Sequence, residues 1–102
     1  MSEVEDNPAE GRFELEIDGS HEIAAAYYRV KGERIVLTHT IVPERFSGQG
    51  IGSRLARGVF DALRESGRKA ILLCPFMTAY FKRHPDYSDV VDGADNQENL
   101  HD

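Results

Sequence analysis

The chain has 102 residues, a formal net charge of −6 and a single cysteine. This length predicts one domain with a modest apolar core, and one cysteine excludes an intramolecular disulfide and a four-cysteine zinc site. The acidic balance argues against a general nucleic-acid-binding protein. Since there is no apolar run of about 18 residues and the N-terminus is acidic, we expect no membrane span and no secretory leader, and a cytoplasmic location.

The N-terminal half has the pattern of three consecutive β-strands. Residues 1–11 are acidic and poor in apolar side chains, and we expect them to be disordered. Alternating apolar and acidic side chains predict a first strand over Phe13–Ile17. A second strand is expected over Glu22–Val30 and a third, rich in β-branched residues, over Arg34–Val42. Glycine-containing turns between the three predict antiparallel hairpins.

The C-terminal half alternates helix and strand. An apolar stripe predicts a helix over Ile51–Glu65, and Gly67 is suited to end it. The uninterrupted apolar run Ala70–Leu73 predicts a short strand that is buried on both faces. A second helix is expected over Phe76–Arg83, and an acidic tail over residues 92–102.

The element order β-β-β-α-β-α predicts an α+β fold for a domain spanning residues 12–91. Its sheet should be mixed and mostly antiparallel, with the helices packed on it. The first helix is a crossover, so the fourth strand should run parallel to the third. Where these two strands diverge, a cleft should open at their C-terminal ends, which is where open sheets bind ligands.

The glycine-rich segment Ser47–Ser53 separates the third strand from the first helix. Its glycines leave backbone N–H groups uncovered at a helix N-terminus, where unpaired donors and the helix dipole favour phosphate. The segment lacks the lysine of a Walker loop, and the spacing of Gly48, Gly50 and Gly52 is not that of the dinucleotide fingerprint. It therefore predicts a phosphate-bearing ligand held by backbone, against the alternative of a simple turn into a helix.

Basic side chains are concentrated around this loop. Residues 44–84 contain eight Lys or Arg and three Asp or Glu, whereas the rest of the chain contains four and fifteen. Such a zone would attract an anionic ligand. We expect most of its arginines to be solvated and one or two to meet phosphate.

Two parts of the chain, residues 37–53 and residues 74–87, resemble a known family. Ser47–Gly52 is similar to the acetyl-CoA loop of the GCN5-related N-acetyltransferases, [Q/R]-x-x-G-x-[G/A], except that Ser47 stands where Gln or Arg is usual. The resemblance to the small, minimal-domain group of that family rests on three further runs: Leu37–Pro43, Cys74-Pro75-Phe76 and Arg83-His84-Pro85-Asp86-Tyr87. The likeness spans about residues 13–91.

The resemblance implies acetyl-CoA as the ligand and acetyl transfer to a primary amine. It assigns the pyrophosphate to the backbone of the glycine loop, the pantetheine arm to the end of the third strand, and the thiol end or the phosphates to the last helix. Independently of the resemblance, we expect no metal, because the chain has no H-E-x-x-H pattern, no carboxylate pair at ligand spacing and no histidine cluster. The cofactor-binding residues are then Ile41, Val42, Gly48, Gln49, Gly50, Ile51, Gly52, Ser53, Tyr80 and Arg83.

Cys74 and His39 are the catalytic candidates that the resemblance implies. In many family members a Tyr of the last helix protonates the departing thiolate, but here Phe81 stands at that position, so either Tyr80 substitutes or another group is the acid. Cys74 could be the acid, with His39 as base on the amine, or it could carry the acetyl group covalently. The alternative is that Cys74 is a small core residue and His39 a core or rim residue.

The acceptor is expected to be an unknown amine, such as a peptide lysine or N-terminus. No nucleic-acid or membrane partner is expected, and the protein should be a monomer or a weak dimer. Two other functions remain open. One is a non-catalytic acyl-CoA binding or sensing module, and the other is a small interaction domain whose acidic tails recruit a basic partner.

Overall fold

The computed structural model describes residues 3–93, which form two helices packed on a five-stranded sheet. The strands are β1 (Val4–Asn7), β2 (Arg12–Glu16), β3 (Ile23–Lys31), β4 (Arg34–Ile41) and β5 (Lys69–Leu72). The helices are α1 (Ile51–Ser66) and α2 (Pro75–Arg83), with short 3-10 turns at Glu44–Phe46 and Pro85–Asp89. The predicted α+β class is confirmed.

The sheet has the order β1-β2-β3-β4-β5. Neighbouring strands from β1 to β4 are antiparallel. β5 pairs with β4 in parallel, from Arg34 opposite Lys69 to Leu37 opposite Leu72. This is the parallel return that the α1 crossover predicts.

The predicted disorder of residues 1–11 is wrong for the segment that forms β1. Val4 lies opposite Leu15 and is buried, and the hydroxyl of Tyr28 donates a hydrogen bond to Asp6. The burial of Val4, backbone pairing to β2 and the bond from Tyr28 together order a short strand whose composition is otherwise typical of disorder. At the other end, the predicted acidic tail lies outside the described residues except for Asp92 and Gly93.

β5 is not buried on both faces. It lies at the edge of the sheet, where Ala70 is buried but Ile71 and Leu72 are only partly so, and Leu73 is 57% exposed. A single bridge from Ala70 to Val91 covers its outer side. The apolar run was misleading because both helices pack on one face of the sheet.

The core lies between that face and the helices. Ala24 and Ala26 of β3 are fully buried in the same cluster as Leu55, Val59 and Phe60 of α1. Small side chains allow the helix to approach the strand closely, so tertiary packing overrides the helix preference of alanine.

β4 contains a β-bulge at Thr38. Tyr27 of β3 pairs with His39, whereas Tyr28 pairs with Leu37, so Thr38 is an extra residue on β4. Its hydroxyl donates to the carbonyl of Tyr27. A bulge of this kind shifts the alternation of side chains by one position.

The bulge exchanges the faces of the sheet on which the two residues after it lie. Before it, Leu37 lies on the helix-covered face. After it, Thr40 is paired with Ala26 and shares that face, while His39 is exposed and belongs to the open face. Strict alternation from Leu37 would have placed His39 on the helix side.

Candidate active site

A cleft of about 430 Å³ opens where β4 and β5 diverge. Pairing of the two strands ends at Leu37, whose carbonyl accepts hydrogen bonds from the backbone N–H groups of Leu73 and Cys74. Beyond this point β4 continues, whereas the segment after β5 turns into α2. The cleft is lined by Thr40, Val42, Phe46, Ser47, Gly48, Gly50, Ile51, Gly52, Ser53 and Phe76.

The glycine loop forms one wall of the cleft. Gly48 and Gly50 have φ values of 79° and 77°, in the left-handed region that favours glycine. Gly50 is the N-cap of α1 and offers no side-chain cap, and the first helical bond runs from the Arg54 N–H to the Gly50 carbonyl. The N–H groups of the first turn are therefore available to an anion at the positive end of the helix dipole.

The opposite walls are mainly apolar. Val42 and Phe46 follow β4, and Phe76 comes from the first turn of α2. Polar donors at one end and apolar walls at the other suit a ligand with a phosphate group and a thin, largely apolar arm.

Cys74 lies behind the cleft. It is 3% exposed, is the N-cap residue of α2, and has its Sγ 3.1 Å from the Oγ1 of Thr40. Thr40 is part of the cleft lining and Cys74 is not. The thiol thus reaches the cleft only through a neighbouring hydroxyl.

His39 and Cys74, the two catalytic candidates, do not lie on the same face of the sheet. His39 is exposed and its ring contacts that of Tyr27, with centroids 6.1 Å apart, whereas Cys74 contacts Thr40 on the helix-covered face. The bulge at Thr38 is the physical cause, because it turns His39 to the face away from the thiol.

Several predicted cofactor residues do not line the cleft. Tyr80 is 4% exposed and stacks on Phe60 and His84, and burial raises its pKa. It is therefore a packing residue. Arg83 is exposed in the last turn of α2. Ile41 and Gln49 are also not part of the lining, whereas Val42, Gly48, Gly50, Ile51, Gly52 and Ser53 are.

Four of the residues that line the cleft were not among the predicted site residues: Thr40, Phe46, Ser47 and Phe76. Phe76 belongs to the Cys-Pro-Phe run, so its motif gave a signal. Thr40 gave none, because the alternation of β4 would have turned it to the open face.

The arginines of α1 do not line the cleft. Arg54 is paired with Glu3, Arg57 lies 4.0 Å from Asp61, and Arg64 is paired with Asp89. These groups surround a larger depression of about 690 Å³ on the exposed side of α1. Its charges are largely neutralised within the protein, so we place the ligand in the smaller cleft.

Residues 3–93 contain neither a helix long and apolar enough to cross a bilayer nor a cluster of three or more potential metal ligands.

A glycine loop that caps a crossover helix, beside a cleft between diverging parallel strands, defines the class of this protein. The model of the GCN5-related N-acetyl-transferase family matches residues 12–90, and the chain belongs to that family.

Its similarity to individual proteins covers most of the chain. It is 36% identical over 84 residues to the protein NATD1 of Gallus gallus, which covers 81% of this chain and 76% of the relative. The Homo sapiens NATD1 is 36% identical over 83 residues, which covers 80% and 74%. The solution structure of a GCN5-like protein from Staphylococcus aureus aligns with a TM-score of 0.64 at 30% identity, and covers 89% of this chain and 90% of its own.

Proposed function

We propose that the protein is an N-acetyltransferase that moves an acetyl group from acetyl-CoA to a primary amine. The observation that carries this proposal is the uncapped N-terminus of α1, built from Gly48, Gly50 and Gly52 at the mouth of the β4–β5 cleft. We expect it to act in the cytoplasm as a monomer or weak dimer.

Acetyl-CoA is a substrate in this proposal, and the residues of the cleft fit its parts. The N–H groups of Ile51, Gly52 and Ser53 would bind the pyrophosphate. The apolar walls at Val42, Phe46 and Phe76 would contact the pantetheine arm. The β4 backbone from Thr38 to Ile41, which extends past the end of its pairing with β5, would hydrogen-bond the arm as an added strand.

The reaction needs a base for the amine, donors for the developing oxyanion and an acid for the leaving thiolate. Backbone N–H groups of β4 would supply the donors. His39 is on the open face and would meet an acceptor that approaches from that side. Cys74, whose Sγ lies 3.1 Å from the Oγ1 of Thr40, would act on the thiolate, as the acid or as a covalent acetyl carrier.

An open acceptor side favours a peptide lysine or N-terminus over a small enclosed metabolite. Within the described residues, both helices pack on one face of the sheet and leave the other uncovered. Acetyl transfer to small amines alone, with none to a panel of peptides, would contradict this choice of acceptor.

The second candidate is a non-catalytic acyl-CoA sensor. Three observations favour it: Ser47 departs from the loop pattern, Phe81 stands where a Tyr is usual, and the neighbouring Tyr80 is buried in the core. A sensor would bind acetyl-CoA and turn over no amine, and the Cys74→Ala variant would bind as well as the wild type.

Titration calorimetry with acetyl-CoA and CoA tests the proposal first. We expect saturable binding by the wild type and a loss of at least about tenfold in Gly50→Glu, because a carboxylate at the N-cap repels the pyrophosphate. Gly32→Glu is the matched control, since Gly32 has a φ of 63° in the β3–β4 turn, away from the cleft.

The outcomes separate the alternatives. Absence of binding by the wild type would remove both the enzyme and the sensor. An equal loss in the Gly50→Glu and Gly32→Glu variants would assign the effect to backbone strain instead of to the site. Turnover with an amine panel then distinguishes enzyme from sensor.

A further inference from the structure

We infer that the hydroxyl of Thr40 delivers the proton to the leaving thiolate, and that Cys74 acts through it. This inference rests on the proposed function and names the group that completes its last step. Thr40 would then have the role that a tyrosine of the last helix has in many family members.

The first ground is position. Thr40 lines the cleft, whereas Cys74 is 3% exposed and lies one layer behind it. With the Sγ of Cys74 3.1 Å from the Thr40 Oγ1, the hydroxyl lies within hydrogen-bond distance of the thiol and borders the space where the ligand would bind.

The second ground is the bulge. The extra residue Thr38 turns Thr40 onto the same face as Cys74, opposite Ala26. A β4 strand without the bulge would present His39 there. The irregularity of β4 therefore places a hydroxyl, not an imidazole, against the thiol.

The third ground is the position of the other candidates. Tyr80 is stacked in the core against Phe60 and His84, and Phe81 has no hydroxyl. Of the residues that line the cleft, only Thr40, Ser47 and Ser53 carry a side-chain hydroxyl, and the two serines belong to the glycine loop.

The transfer balances as follows. When the thioester C–S bond breaks, its electron pair goes to sulfur and CoA leaves as a thiolate. Thr40 gives its hydroxyl proton to that sulfur and takes the proton of the Cys74 thiol.

This leaves the sulfur of Cys74, the N-cap residue of α2, as a thiolate. It regains a proton from solvent, which received the one lost by the amine.

Four variants test the inference in steady-state kinetics: Thr40→Val, Thr40→Ser, Cys74→Ala and Thr40→Val/Cys74→Ala. Since general acids contribute about 10²–10⁴ in rate, we expect Thr40→Val to lower kcat at least about a hundredfold. The dissociation constant for acetyl-CoA should change less than about twofold in calorimetry, since the hydroxyl acts on the leaving group. Thr40→Ser, which keeps a hydroxyl, should recover most of kcat.

The double variant distinguishes a relay from two independent contributions. If the two groups act as a unit, the double variant is no slower than the slower single variant. If the losses in kcat of the two single variants multiply in the double variant, the relay is overturned. A purely structural role of Thr40 would instead lower the melting temperature and the affinity together, and serine would not restore kcat alone.

Failure of this inference differs from failure of the proposed function. An active wild type together with an active Thr40→Val overturns the inference and leaves the acetyltransferase intact. A slow Cys74→Ala beside a fully active Thr40→Val means that the thiol meets the ligand directly, and also overturns it. A wild type that binds acetyl-CoA but acetylates no amine overturns both.

Discussion

The ring of Phe76 lies directly over Gly52, so that a Cβ at position 52 would be 2.7 Å from the Phe76 Cζ. Gly52 is not among the glycines with positive φ, so the close approach of the ring, not the backbone conformation, requires glycine here. The contact joins the first turn of α1 to the first turn of α2. Both residues line the cleft, so the contact borders the space where the ligand would bind.

We expect Gly52→Ala to weaken acetyl-CoA binding about tenfold with little change in stability. Alanine gains about 1 kcal/mol of helix propensity over glycine, which offsets the cost of moving the ring. Phe76 is 37% exposed, so its ring can rotate outward. Calorimetry and thermal melts of the same samples measure both quantities.

The double variant Gly52→Ala/Phe76→Leu is the control for that contact. A shorter, flexible side chain relieves the clash, so binding should recover in part. If Gly52→Ala alone binds like the wild type, the contact does not shape the ligand site.

His39→Ala should leave the alkylation rate of Cys74 unchanged. The bulge at Thr38 separates the two side chains onto opposite faces of β4. Thr40→Val is the contrast: loss of the hydroxyl removes a donor to the thiolate, so iodoacetamide labelling should slow several-fold. Mass spectrometry after timed labelling measures the alkylation rate of Cys74 in both variants. Slower alkylation in His39→Ala than in the wild type would mean that the imidazole does contact the thiol.

The β4 bulge also marks the limit of what this sequence predicts. The glycine loop was located correctly because left-handed glycines before an apolar helical stripe are a local signal. The face of His39 depends on one extra residue in a pairing with β3, and nothing in the β-branched run around Thr38 indicates that residue. The position of the loop between β4 and α1 could therefore be predicted from the sequence, whereas the face of β4 on which His39 lies could not.

Two wrong predictions concern the edges of the sheet: the disorder of the segment that forms β1, and the burial of β5 on both faces. They have a similar origin. Val4 is ordered by its position opposite Leu15, and Leu73 is exposed because no described helix covers the open face. Composition reports what a segment could bury, whereas burial depends on which neighbours the topology supplies.

Tyr87→Phe should lower the free energy of unfolding by about 1–2 kcal/mol at neutral pH, since the hydroxyl donates to Asp61 at 2.7 Å. Burial and this hydrogen bond raise the pKa of Tyr87 from 10.0 to about 12. The folded state thus favours the neutral phenol. Its contribution is complete below pH 10 and is lost as the pH rises from about 10 to about 12.

Urea unfolding between pH 8 and about pH 12 measures this effect. The wild type should lose stability across the alkaline range more steeply than Tyr87→Phe. Some slope should remain in the variant, because burial and a bond to Asp6 raise the pKa of Tyr28 to about 12 as well. Parallel curves would show that Tyr87 does not titrate in that window.

Asp6→Ala should loosen β1 and leave the cleft intact. Asp6 accepts a 2.6 Å hydrogen bond from the hydroxyl of Tyr28, which ties the edge strand to β3 across β2. Its loss leaves a partly buried phenol without its acceptor, so we expect faster amide exchange in residues 4–7 and a cost of about 1–2 kcal/mol. Acetyl-CoA affinity should be unchanged, because β1 is at the opposite edge of the sheet from β5.

Glu5→Ala is the matched control for that prediction. Glu5 is an exposed acid on the same strand, one position away, and pairs opposite Glu14. Like charges that face each other destabilise a sheet, so removing one should leave β1 as stable or slightly more so. Hydrogen exchange followed by mass spectrometry compares the two variants directly. Equal exchange in both would mean that backbone pairing and Val4 alone hold the strand, and that the bond between Tyr28 and Asp6 adds nothing to it.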